Sequence, residues 1–428
     1  MKLLVAYGLL YIAVPSCHAF VPLHRSWTAN NNVQSTKEAS INHVLHASSY
    51  EVNVDHSGPG GSPVHTLTIH TLPGDHLDPQ PIVLQTGKIG RQAAGAVTLT
   101  RGDTVLYATA AREQDPREGL DFLPLSVEHQ ERFSAVGMTS GGYNKRDGRP
   151  AEHEVLTCRL IDRPIRPLIA QGWRHDTQLL SWVLSYDGVR SCDPLAIIAS
   201  AAALYISDVP LTKAVAAAMV GYDAENDKLL LNPTHAEMKN STLQLVVAGT
   251  KDAVLMIEGA ADFLPEATMV RAVNFGHEAI KVICEAVEEL GKTMNVQKKM
   301  DTLVLPPPGL QERIDALMTD KIDQMFEGGG TKTTQEPIRK ALKKELVETL
   351  KEQDGEDVNY TSNDISNAFK DLLCRRMFVR AKTTGKRCDG RGLEEIRHLD
   401  MEAGFLPRTH GSAIFTRGET QVVATATL

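Results

Sequence analysis
A chain of 428 residues with 42% hydrophobic and 23% charged content has the composition of an ordinary globular protein, with room for two or three domains. Its 45 basic and 53 acidic residues leave a net charge of −8, which excludes a chain that attracts polyanions by overall charge; any polyanion site must be a local patch. Six cysteines, at 17, 158, 192, 284, 374 and 388, are scattered and form no C-x-x-C pair, so they read as reduced thiols rather than metal ligands or disulfides.

In chain order, residues 1–19 carry one lysine, a short apolar run and small residues at 17 and 19, the pattern of a signal peptide rather than a membrane span. Residues 20–55, rich in Ser, Asn, Thr and Ala through residue 50 and poor in acids there, are expected to be a transit peptide or disordered segment. A signal peptide cut at Ala19-Phe20 and followed by such a segment resembles the two-part presequences of algae with secondary plastids. That resemblance implies the plastid stroma, with the mitochondrion or secretion as alternatives.

Past a Gly/Pro linker at 56–63, alternation over 64–71 predicts a half-buried strand. Two strands around a tight turn are expected over 86–110, another strand at 123–128, and a Gly-rich loop at 133–144. Residues 152–163 read as a helix closed by Pro164, and 178–186 as a strand. Asp193-Pro194 then reads as a capping side chain and first-turn proline before LAIIASAAALYI, a helix apolar nearly all round and therefore buried on several sides. Strand signals follow at 229–231, 243–247 and 254–257. A long helix with Ile283, Ala286, Val287 and Leu290 on one face is expected to stop at Gly291. The predicted fold class is α+β: a core of mixed sheets and packed helices over 64–300. A proline-rich boundary precedes an all-helical domain over 309–381, with helices near 309–326, 335–352 and 362–380. Residues 386–428 begin a second core.

The second core is recognisable because the chain repeats itself. Aligning Gly87 with Gly404 and Arg91 with Arg408, with one residue of slippage, brings Arg101-Gly102, Thr104 and Ala108-Thr109-Ala110 onto Arg417-Gly418, Thr420 and Ala424-Thr425-Ala426. A repeat at that distance signals a duplicated domain rather than a solenoid. The second copy, with Arg387-Cys388-Asp389-Gly390-Arg391 ahead of it and Gly404-Phe405-Leu406-Pro407-Arg408-Thr409-His410-Gly411 within it, closely resembles the start of the second ribonuclease PH-like core of the polynucleotide phosphorylase family. The first copy, with Gly148-Arg149-Pro150 and Arg159-Leu160-Ile161-Asp162-Arg163-Pro164-Ile165-Arg166, is similar to the first core of that family.

The strongest local candidate site is the stretch 143–166, where Lys145, Arg146, Arg149, Arg159, Arg163 and Arg166 outnumber Asp147, Glu152, Glu154 and Asp162. Arg159 and Arg163, four apart, share a helix face and can present two guanidinium groups together. The alternative is that Glu152, Glu154 and Asp162 pair with these arginines on a solvated surface. The family carries two aromatics and two basic residues before Gly-Arg-Pro, on a loop that grips RNA. The matching residues here are Tyr143, Asn144, Lys145 and Arg146, with Asn144 in place of the second aromatic.

The resemblance implies a reversible 3′-to-5′ phosphorolytic exoribonuclease that releases nucleoside diphosphates from single-stranded RNA 3′ ends. It also implies inorganic phosphate as co-substrate, Mg2+ as cofactor and a homotrimer as the assembly. The family's catalytic and metal-binding residues are expected beyond Leu428, so none is assigned within this chain. The second core is expected to be incomplete, and this portion inactive alone. Two alternatives stand beside that reading: a catalytically inert RNA-binding or assembly subunit, and an exoribonuclease working from the first core only. Among weaker signals, Arg101-Gly102-Asp103 reads as a hairpin turn rather than an adhesion tripeptide, His153-Glu154 lacks the second histidine of a zinc site, and the tryptophans form no evident stacking platform.

Overall fold
The computed structural model describes residues 50–56, 58, 62–74, 80–117, 120, 122–354 and 360–428. The expected signal peptide, Trp27 and most of the expected transit segment lie outside the described residues. The chain divides into two compact units, one ending at Val304 and one beginning at Leu305.

The first unit is built on a seven-stranded sheet. In chain order its strands are β1 (Tyr50–Asp55), β2 (Val64–Ile69), β3 (Ile82–Thr86), β4 (Gly95–Arg101), β5 (Thr104–Arg112), β6 (Leu125–Glu131) and β7 (Thr177–Ser185). Their spatial order is β1-β2-β3-β4-β5-β7-β6, antiparallel except for the parallel β6–β7 pair. The first described strand therefore begins at Tyr50, inside the segment expected to be a transit peptide or disordered. Tyr50, Val52 and Val54 alternate with polar residues and pair across β2, and edge pairing satisfies a strand too short to announce itself by composition.

A second sheet, ordered β11-β10-β8-β9, comprises β8 (Ala216–Asp223), β9 (Lys228–Leu231), β10 (Leu243–Gly249) and β11 (Val254–Ala261). Four α-helices accompany the sheets: α1 (Glu152–Ile165), α2 (Asp193–Tyr205), the one-turn α3 (His235–Met238) and α4 (Glu266–Thr293). Helix α2 packs on β4, β5 and β7 of one sheet and on β8 and β10 of the other, which explains why its sequence is apolar all round. Residues 194–204 are all buried. The approach is close: a Cβ on Gly95 would stand 2.1 Å from the carbonyl oxygen of Ala203.

Three local expectations change. Helix α1 runs through Pro164 to Ile165, because in the last turn the ring's fixed φ suits the helix and only one backbone donor is lost. Asp193 is the first residue inside α2, behind an N-cap at Cys192. Its carboxylate accepts instead from the hydroxyls of Thr157 (2.8 Å) and Ser191 (3.0 Å). Helix α4 continues past Gly291 to Thr293; that glycine is the flat spot on which Tyr205 lies, 2.7 Å from where a Cβ would sit. At the end of β5, Arg112 clamps Asp208 with two 3.0 Å bonds from Nε. Those hydrogen bonds hold the Asp208 carboxyl below the ordinary range, against the opposing pull of burial.

The second unit contains α5 (Leu310–Glu327), α6 (Lys332–Asp354) and α7 (Ser362–Thr384), packed around a core of its own that includes Ile314, Met318, Ile322, Leu346, Phe369 and Leu372. A three-stranded antiparallel sheet follows: β12 (Leu399–Ala403), β13 (Gly411–Arg417) and β14 (Thr420–Ala426). The pair β13–β14 repeats β4–β5 in register, Gly411 facing Ala426 as Gly95 faces Ala110. Both turns use a glycine at positive φ, 60° at Gly102 and 61° at Gly418. In the first copy α2 covers the sheet, whereas every residue of β14 is exposed.

Candidate nucleic-acid interface
After β6 the chain makes a short 3-10 turn over Phe133–Val136 and then runs to α1 as an open loop. Tyr143 stands at its tip with its side chain fully exposed. Lys145 closes the turn by donating its N–H to the carbonyl of Gly142 at 3.0 Å and takes a left-handed φ of 51°, an unusual conformation for a residue with a Cβ. Around Gly141, Gly142 and Gly148 no atom lies within 4 Å of an added Cβ, so the turn stands clear of the fold.

The acid within this turn does not neutralise its neighbours. Asp147 accepts from Nη1 of Arg132 at 2.6 Å, and the guanidinium carbon of Arg132 lies 4.2 Å over the ring of Trp182. Trp182 belongs to β7, on the sheet face opposite the buried residues Ser181 and Val183, with Tyr107 of β5 beside it at 6.2 Å. Sequence reasoning singled out neither Arg132 nor this use of Trp182. The parallel register that sets Trp182 opposite Gln130 joins residues some fifty positions apart, and no local pattern announces it.

Helix α1 separates its arginines. Arg166 donates to both carboxylate oxygens of Asp162 (2.9 and 3.0 Å from Nε) and to the carbonyls of Leu123 and Leu125 at 3.0 Å. It therefore ties α1 to the strand before it rather than facing a ligand. Arg163 pairs with Glu258 of β11. Glu154 is taken up by the backbone N–H groups of Glu131 and Ala151, so of the expected acid pairings only that of Asp162 reaches one of these arginines. Among the described residues, no carboxylate lies within ion-pair distance of Lys145, Arg146, Arg149 or Arg159. The structure thus gathers Tyr143, Lys145, Arg146 and Arg149 on one exposed turn, leaves Arg159 exposed on α1, and gives Arg163 and Arg166 to partners within the fold.

The remaining polar groups nearby are structural. His129 is buried, its Nδ1 3.0 Å from Ser181 Oγ, and burial pushes its pKa below the ordinary value. His153 meets Glu131 at 3.1 Å. Trp173 is buried against His175, ring centroids 4.2 Å apart. Among the described residues no three or more His, Cys, Asp and Glu side chains gather as a metal-ion donor set, and no helix is long and apolar enough to cross a membrane.

Comparison with known proteins sets this geometry in context. The model of the 3′ exoribonuclease family, domain 1, matches residues 78–210, and that of domain 2 matches residues 213–279. A polyribonucleotide nucleotidyltransferase of Chlamydia caviae is 43% identical over 364 residues, covering 85% of this chain and 51% of its own length. One from Protochlamydia amoebophila is 41% identical over 350 residues, covering 82% and 50%. A probable polyribonucleotide nucleotidyltransferase 1, chloroplastic, from Oryza sativa subsp. japonica is 37% identical over 391 residues, covering 81% and 43%. The chain spans about half the length of the curated relatives it matches.

Proposed function
Because the chain belongs to the 3′ exoribonuclease family, among the relatives of the polyribonucleotide nucleotidyltransferases, we propose that it supplies the RNA-holding part of a phosphorolytic 3′-to-5′ exoribonuclease. In that reaction inorganic phosphate attacks the phosphorus of the 3′-terminal linkage, the bond to the preceding 3′ oxygen breaks, and a nucleoside diphosphate leaves. Two anions must meet, which calls for fixed cations and donors rather than a covalent nucleophile. The observation that carries the reading is the open turn with Tyr143 at its tip and Lys145, Arg146 and Arg149 beside it, all exposed and free of ion pairs. An exposed aromatic beside cations fits single-stranded RNA: bases stack on the ring and phosphates meet the charges. Magnesium, where the full reaction uses it, stabilises charge at the scissile phosphate, and no step is assigned to it on these residues.

The test is binding of single-stranded oligoadenylate over a range of salt concentrations. For a single strand the slope of log K against log salt is about 0.7 per phosphate contacted. Lys145→Ala with Arg146→Ala should weaken binding and flatten the slope by about 1.4. Unchanged affinity and slope would remove the turn from the RNA path.

A further inference from the structure
We propose that Asp147 is a positioning residue: through Arg132 and Trp182 it fixes the turn carrying Tyr143, Lys145 and Arg146 against the first sheet, in the form that holds RNA. The proposal rests on the RNA reading of that turn.

Asp147 is the one acid in the stretch 143–149, and by charge alone it should weaken the hold on an anion. The geometry gives it another task. Its carboxylate reaches back fifteen positions to Arg132 at 2.6 Å, and the Arg132 guanidinium carbon in turn lies 4.2 Å over the centre of the Trp182 ring. That stacking holds the fork of the guanidinium in one orientation, which lysine cannot reproduce. Trp182 is held by ladder pairing to β5 on one side and β6 on the other, so the anchor ends in a rigid part of the sheet. Among the described residues, the bond from Arg132 to Asp147 is the side-chain hydrogen bond that joins residues 139–149 to the sheet. The turn's own bond, Lys145 to Gly142, is internal. Without the anchor, a glycine-rich turn with open space around it would sample many forms, and the left-handed Lys145 would relax. Holding the turn in one form lowers the ordering cost of binding.

Charge and anchoring therefore forecast opposite signs for Asp147→Asn, which leaves the size of the side chain nearly unchanged. Two readings are taken on the full chain: the rate of chymotryptic cleavage after the exposed Tyr143 without RNA, which reports opening of the turn, and affinity for single-stranded oligoadenylate at fixed salt. The anchor predicts faster cleavage and affinity lowered about two- to fivefold, the range an exposed ion pair contributes. It also predicts faster cleavage in Arg132→Lys, whose ammonium can meet Asp147 but lacks the planar fork that lies over Trp182. Cleavage unchanged in Asp147→Asn, or affinity equal to or tighter than the parent, overturns the proposal. A parent chain that binds no oligoadenylate overturns the RNA reading instead, and the cleavage rates still decide whether Asp147 holds the turn.

Discussion
Gly95 and Gly411 occupy the same register position in two hairpins and carry different loads. At Gly95 the backbone of α2 leaves no room: an alanine methyl would stand 2.1 Å from Ala203 oxygen, and a backbone atom cannot swing aside as a side chain can. Gly95→Ala should lower the unfolding free energy of the first unit by about 1–3 kcal/mol in urea titration, the range for overpacking. At Gly411 the nearest neighbour is Ala426 Cβ at 3.3 Å, and Gly411→Ala should change stability by less than about 0.5 kcal/mol. Equal losses at both sites would show that α2 does not press on β4 as described. The same scale shows what the sequence makes legible. Tyr143, Lys145, Arg146 and Arg149 read directly as an exposed group because their neighbours are glycines. Arg163 and Arg166 look equally available in sequence, yet Glu258 and the carbonyls of Leu123 and Leu125 claim them from 41 to 95 positions away.

At the scale of elements, hydrophobic period and turn chemistry carry most of the reading. The all-round apolar α2 is legible as a helix between layers, and the three helices of the second unit fall within a few residues of their expected positions. The misplaced ends share one cause: Pro164, Asp193 and Gly291 all resemble helix punctuation, and in each case a tertiary contact or the tolerance of a terminal turn decides the outcome. Strand β1 was missed because six residues of alternation gain their meaning only beside β2.

The Arg112–Asp208 clamp joins β5 to the segment after α2, and its pH behaviour follows from the lowered Asp208 carboxyl. A folded pKa below the unfolded one means that the unfolded chain binds more protons, so the clamp contributes fully above the ordinary value of 3.8 and is lost as pH falls through the folded value. Asp208→Asn should therefore be less stable than the parent near neutrality, with the gap narrowing below about pH 4. Parallel stability curves from pH 7 to pH 3 would contradict the clamp.

For the whole molecule, the duplicated hairpin is what the sequence states most clearly, since it survives in both composition and register. The first copy is finished by α2 and a second sheet, and it carries the basic turn on its far side from that core. The second copy presents β14 fully exposed and adds no strand residue to either buried cluster. On the function proposed above, such a molecule would hold RNA on its first unit, and the chemistry would not rest on the first core alone. This division of labour is the central claim. The most direct test incubates the purified chain with end-labelled oligoadenylate and magnesium, with and without inorganic phosphate, while binding is followed in parallel. We expect salt-sensitive binding and no phosphate-dependent release of nucleoside diphosphate. Release that requires phosphate and is abolished by Arg149→Ala would contradict the claim and place the chemistry on the first core.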